Sequence, residues 1–72
     1  MTVGEVIKSI RIEKGMTQKQ VAELAGTTDV SLSRWENGSR DMQVETLCRI
    51  ADALGVEAYA IVEKALHENR PD

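Results

Sequence analysis

This sequence has no phenylalanine, and only one tryptophan, one tyrosine, one proline and five glycines in 72 residues. Such a profile argues against a β-sandwich, whose strands draw on aromatic residues and whose many turns draw on Gly and Pro. Cys48 is the single cysteine, which excludes an internal disulfide and a cysteine-rich zinc site. His67 is the single histidine, so a Cys/His metal cage cannot be assembled. No apolar run approaches the ~18 residues of a membrane span, and the N-terminus lacks a charged-then-apolar signal pattern. These absences point to a reducing, cytoplasmic setting with no metal, no cofactor and no membrane partner. Residues 1–72 suit one compact domain and leave little room for a catalytic unit with its own cofactor pocket. With no recognisable histidine–nucleophile arrangement and no phosphate loop, an enzyme is not expected.

Hydrophobic residues make up 42% of the chain and charged residues 29%, enough for a small core under a soluble surface. The net charge of −3 is unfavourable for a nucleic-acid binder, but its distribution is less so. Residues 1–40 carry a net +1 and residues 41–72 a net −4, so the acidic excess lies wholly in the C-terminal part. A binding face need only be locally basic.

Apolar periodicity and punctuation give five short helices. Thr2-Val3-Gly4-Glu5 has capping-box spacing, and Val3, Val6, Ile7 and Ile10 follow the i, i+3, i+4, i+7 rule up to a stop at Gly15, predicting a helix over about 3–14. Thr17-Gln18-Lys19-Gln20 is a second capping box, opening a helix with Val21, Ala22, Leu24 and Ala25 as its apolar positions and ending at Gly26. Thr27 or Thr28 caps a third helix from about Asp29 to Glu36, with Leu32 and Trp35 three apart and the breaker pair Asn37-Gly38 behind it. A fourth, about 44–54, places Val44, Leu47, Cys48, Ala51 and Leu54 on one face before Gly55. The fifth, about 58–68, repeats the spacing with Ala58, Ile61, Val62, Ala65 and Leu66, and Pro71 lies beyond it.

Residues 17–38 carry the functional signal. A connection as tight as Gly26-Thr27-Thr28 disfavours a parallel pair of helices, and a steep αα pair is the geometry that presents a second helix to the DNA major groove. Ala22 is small enough for the close helix approach that this requires. The run Thr17-Gln18-x-x-Val21-Ala22-x5-Thr28-x2-Ser31-x-Ser33-x-Trp35-Glu36-Asn37-Gly38 resembles the Cro/CI-type (Xre) helix-turn-helix family of phage and bacterial repressors. Ile10-Arg11-x3-Gly15-Met16-Thr17-Gln18 and Leu47-x2-Ile50-Ala51-x2-Leu54-Gly55-Val56 match the same pattern, so the likeness covers about residues 3–62.

The resemblance implies an all-α, five-helix, lambda-repressor-like DNA-binding domain with its helix-turn-helix over about 18–37. It also implies roles for particular residues. Gln18 matches a position that contacts a DNA phosphate, and Asn37 with nearby Arg40 matches a second phosphate clamp; Lys19 is a further candidate for the backbone. Thr28, Asp29, Val30, Ser33 and Arg34 match the base-reading face of the third helix. Arg34 suits a bidentate contact to guanine and Val30 a thymine methyl, whereas Asp29 either accepts from cytosine N4 or favours the helix N-terminus. Ser31 and Ser33 are small enough to let the helix approach closely. Arg11 and Glu36 match a largely buried salt bridge joining the first helix to the end of the third.

The chain departs from the family pattern at Met42, where a proline usually stands, at Gln43 in place of a serine cap, and at Glu57 in place of a small cap. Asp41 sets an acid near the DNA backbone, which implies modest affinity with strong salt dependence.

Trp35 is read as core rather than as a base-stacking group, Cys48 as a buried small residue rather than a redox sensor, and Ile12 as packing against the last helix rather than a partner contact. Lys8, Lys14 and Lys19 are solvated charges unless phosphate lies near. Tyr59, Val62, Ala65 and Leu66 extend an apolar surface past what the core needs, so Tyr59, Val62 and Leu66 are candidates for a self-complementary dimer patch against simple core completion. The resemblance and these residues together point to a regulator, a repressor by preference, that binds a palindromic operator in double-stranded DNA as a homodimer. A restriction–modification controller is the nearest rival. An antitoxin or adaptor whose acidic C-terminal part binds a protein partner is the alternative from another class.

Overall fold

The computed structural model describes residues 1–68, except for the Glu68 side chain, and Pro71 lies outside them. Five helices follow in order: α1 (Val3–Glu13), α2 (Gln18–Ala25), α3 (Asp29–Glu36), α4 (Val44–Leu54) and α5 (Ala58–Glu68).

Local chemistry sets the helix starts. The Thr2 hydroxyl accepts from the Glu5 N–H at 3.2 Å while the Glu5 carboxylate accepts from the Thr2 N–H at 2.8 Å. Thr17 and Gln20 repeat the exchange at the head of α2, at 3.0 and 2.8 Å. Each box satisfies two backbone donors that a helix start would otherwise leave open. Thr28, not Thr27, caps α3, accepting from the Ser31 N–H at 3.1 Å. Gln43 makes no side-chain cap, yet α4 begins at Val44 as the spacing predicts. The loss of a cap costs this helix part of its local stability without moving its start.

The turn between α2 and α3 depends on Gly26, whose φ of 74° is left-handed. With the chain so reversed, the Thr27 N–H reaches back to the Ala22 carbonyl at 2.9 Å, closing α2 as a Schellman-type cap.

All five helices supply one core. Val6 and Ile7 of α1, Val21 of α2, Leu32 of α3, Ile50 of α4 and Ile61 of α5 are each completely buried. The helix α2 packs on α3 and α4, while α1 lies across α3, α4 and α5. Ala22 of α2 and Ala51 of α4 are both nearly inaccessible, and side chains this small let packed helices lie close together.

Four expectations about burial need correction. The buried row of α4 is Leu47, Ile50, Ala51 and Leu54, whereas Val44 and Cys48 are exposed. Both rows obey helical spacing and share three residues, and the contacts of α4 with its neighbours select the flank carrying Ile50. Cys48 is thus a surface thiol and not core. Leu24 is exposed on α2, and Ile12 is exposed rather than packed beneath α5. Trp35 is half-buried and packed against the core, in line with its structural reading, and its indole N–H is buried without a hydrogen-bond partner.

Candidate nucleic-acid interface

The site is built around a charged pair that the sequence separates by 25 positions. Arg11 of α1 meets Glu36, the last residue of α3, through two parallel hydrogen bonds: Nε to Oε2 at 2.7 Å and Nη2 to Oε1 at 3.0 Å. Both residues are buried, Glu36 at 4% exposure. Fork-to-fork geometry of this kind is the form in which a guanidinium and a carboxylate bind most strongly and most directionally. The third guanidinium nitrogen, Nη1, donates to the Met16 carbonyl at 3.0 Å, just ahead of the α2 cap. One side chain therefore ties α1 to both the end of α3 and the approach to α2.

Gln18 joins this network. Its Nε2 donates to Glu36 Oε1 at 3.0 Å, so the first residue of α2 is bound to the last residue of α3. Nothing in the family-derived pairing of Arg11 with Glu36 indicated this third member. The available signal is chemical: one Glu36 oxygen serves only Arg11 Nε, and the other has room for a further donor.

Around this anchor four of the five residues matched to base reading come together beside Gln18, with Thr28 outside the group. Gln18, Asp29, Val30, Ser33 and Arg34 line one shallow depression of about 350 Å³ between the start of α2 and the outer face of α3. Asp29, Val30 and Arg34 are exposed and Ser33 is half-buried, so the floor is small and polar while longer side chains stand at the rim. Thr28 is exposed too, with its hydroxyl engaged as the α3 cap. Lys19, Thr28 and Asp29 border a second, smaller hollow on the other side of the turn.

The chain after α3 adds two polar groups. Asn37 is exposed, and its Oδ1 accepts from the Ser39 N–H at 3.0 Å, which leaves its amide nitrogen as the donor half of the side chain. Arg40 folds back toward α3, with Nη1 donating to Ser31 Oγ at 3.3 Å. Gln18 and Lys19 at the start of α2, Arg34 on α3, and Asn37 and Arg40 just after it each carry hydrogen-bond donors, the chemistry that a phosphodiester backbone accepts. Asp29 and Asp41 are the acids at its edge. On α5, Tyr59, Val62 and Leu66 form one apolar stripe at 69%, 37% and 63% exposure, beside the buried row of Ile61 and Ala65. No helix among the described residues is long and apolar enough to cross a membrane.

A short helix, a glycine turn and a second helix with an exposed outer face define a helix-turn-helix DNA-binding domain. The sequence pattern of the helix-turn-helix family matches residues 7–61, and the chain belongs to that family, in its Cro/CI (Xre) type. It is 42% identical over 62 residues to the immunity repressor protein of Bacillus phage phi105, an alignment covering 86% of this chain and 43% of the repressor. The chain spans about half the length of most of the curated relatives it matches. Among solved structures it superposes on the clp gene regulator ClgR of C. glutamicum with a TM-score of 0.91 at 26% identity, covering 97% of this chain and 91% of that one. It also superposes on the restriction–modification controller protein C.Esp1396I with a TM-score of 0.83 at 35% identity, covering 92% and 86%. The family is one of DNA-binding proteins and not of enzymes.

Proposed function

We propose that this domain regulates transcription, as a repressor, by binding a palindromic operator as a cytoplasmic homodimer with α3 of each copy in the major groove. The observation that carries the proposal is the single depression that gathers Gln18, Asp29, Val30, Ser33 and Arg34 on the outer face of α3. Arg34 reads guanine through O6 and N7, Val30 touches a thymine methyl, and Thr28 and Ser33 serve as short polar contacts. Asp29 accepts from cytosine N4 or, failing that, stabilises the N-terminus of α3. Gln18, Lys19, Asn37 and Arg40 hold the flanking phosphates.

Two arguments favour a dimer. One helix in one groove buries only about 600–1,000 Å² of protein, little for tight binding. The Tyr59–Val62–Leu66 stripe also offers a patch that a two-fold axis can pair with itself. Half-sites would then lie about one helical turn apart. The similarity to a phage immunity repressor supports repression, and that to a restriction–modification controller protein supports a regulatory role.

Selection of bound sequences from randomised duplex DNA tests the proposal, with Arg34→Ala run in parallel. Enrichment of a palindrome, relaxed by the substitution at one position per half-site, is the expected result. Absence of enrichment by folded protein at low salt would refute it and favour a protein partner for the exposed acids of α4 and α5, among them Glu45, Asp52 and Glu63.

A further inference from the structure

We infer that Glu36 is a positioning residue for DNA binding: buried and neutralised by Arg11, it holds the Gln18 amide in place before DNA arrives. The inference rests on the reading that DNA lies against α3 and the start of α2.

Three observations lead to it. Glu36 Oε1 accepts from both Arg11 Nη2 and Gln18 Nε2, each at 3.0 Å, so the salt bridge and the Gln18 side chain share one oxygen atom. Arg11 Nη1 also holds the Met16 carbonyl, which fixes the backbone two residues before Gln18. Gln18 is half-buried and lines the depression that contains Arg34, so its head group is anchored at the edge of the reading face.

The chemistry explains why such an anchor matters. A free glutamine side chain loses rotamer entropy when a ligand fixes it, and Gln18 has already given up much of that freedom. Its NH₂ group carries two hydrogens. Glu36 takes one, and the planar amide then directs the other away from the carboxylate. An acid in this place would ordinarily repel phosphate. The bidentate contact with Arg11 removes that charge from the balance, so the carboxylate can orient Gln18 without opposing the anion beyond it.

The test replaces the pair by apolar residues of similar reach, Arg11→Met with Glu36→Met. This change keeps the net charge, and exchanging both partners of a buried ion pair is commonly neutral for stability. The probe is a random-sequence duplex of about 20 base pairs at low salt, whose binding reports mainly on backbone contacts. Affinity is measured at a temperature where circular dichroism shows each variant folded. Expected is about three- to tenfold weaker binding, the worth of one lost hydrogen bond. Gln18→Ala should weaken the parent protein by a similar factor and add nothing in the double-methionine background.

A merely structural role for Glu36 predicts otherwise: a shifted melting midpoint, unchanged affinity of the folded protein, and the same Gln18→Ala cost in both backgrounds. That result would overturn the inference, while a loss of base discrimination by Arg34→Ala in the selection from randomised duplex leaves the DNA-face reading intact. If Arg34→Ala has no effect either, that reading falls and the inference with it. The unaltered protein gives a second test should the double variant not fold. In its NMR spectrum the Gln18 side-chain amide proton that faces Glu36 should exchange slowly with solvent, both free and with the duplex added. Fast exchange in the free protein would overturn the inference.

Discussion

Gly4 of α1 lies so close to the Trp35 carbonyl of α3 that an ideal Cβ on Gly4 would overlap that oxygen and stand 3.0 Å from the Glu36 carbonyl. The obstruction is helical backbone, which cannot rotate aside as a side chain does. An exposed helix position gains about 1 kcal/mol when Gly becomes Ala, so the sign of the effect is diagnostic here. Gly4→Ala should destabilise by about 1–3 kcal/mol through overpacking. That corresponds to a midpoint lowered by roughly 5–15 °C in a domain of this size. A thermal melt showing a rise would exclude the close approach.

Glu36→Ala leaves the Arg11 guanidinium buried with the Met16 carbonyl as its remaining partner. Breaking one side of a buried pair costs about 3–5 kcal/mol, a large share of the about 5–15 kcal/mol that holds a domain together. Urea unfolding should show a loss of this order, and a loss below about 1 kcal/mol would contradict the pairing's importance.

The capping box makes stability depend on acid. The Thr2 backbone N–H donating to the Glu5 carboxylate, with help from the Thr2 hydroxyl, holds this side chain below the ordinary glutamate value of 4.5. A carboxylate lowered on folding contributes stability that is present above its unfolded value and is lost as pH falls through the folded one. The thermal midpoint should therefore decline as the solution is acidified below about pH 4.5. Glu5→Gln keeps an acceptor for Thr2 but cannot titrate, and it should flatten part of that decline. Identical acid profiles for the two proteins would show that Glu5 carries none of it.

Cys48 stands on the outer face of α4. Native protein should react with a thiol reagent as completely as unfolded protein, and Cys48→Ser should change stability by no more than about 0.5 kcal/mol, as surface substitutions do. Protection of the thiol until denaturant is added would place it in the core after all.

The α5 stripe gives a prediction about assembly. Val62→Glu combined with Leu66→Glu should convert a dimer to a monomer in sedimentation equilibrium while leaving the helical circular dichroism unchanged. Operator affinity should fall with it, because two linked half-sites bind far more tightly than one. A variant that sediments like the parent would remove α5 from the interface.

Much of this fold is legible in the sequence because much of it is local. Capping boxes at Thr2 and Thr17, the Thr28 cap and the Gly26 turn act over three or four residues, and the side chains at those positions suffice to predict where helices begin and end. The resemblance that spans these elements points to the helix-turn-helix, and the exposed face of α3 carries the residues it implies.

Sequence alone determined the five helices and, to within a residue or so, their ends, because short-range hydrogen bonds and apolar periodicity depend on neighbours along the chain. The class of domain followed from the family resemblance. Only the tertiary structure decided which flank of α4 is buried, since Val44 and Cys48 compete with Ile50 for the same helical stripe and the packed neighbours choose between them. It also decided that Gly4 is a point of contact and that Gln18 is bound to Glu36. Those relationships join residues 18 to 32 positions apart, so no spacing rule along one helix can express them. They exist only once the core has set the three helices at fixed distances from one another.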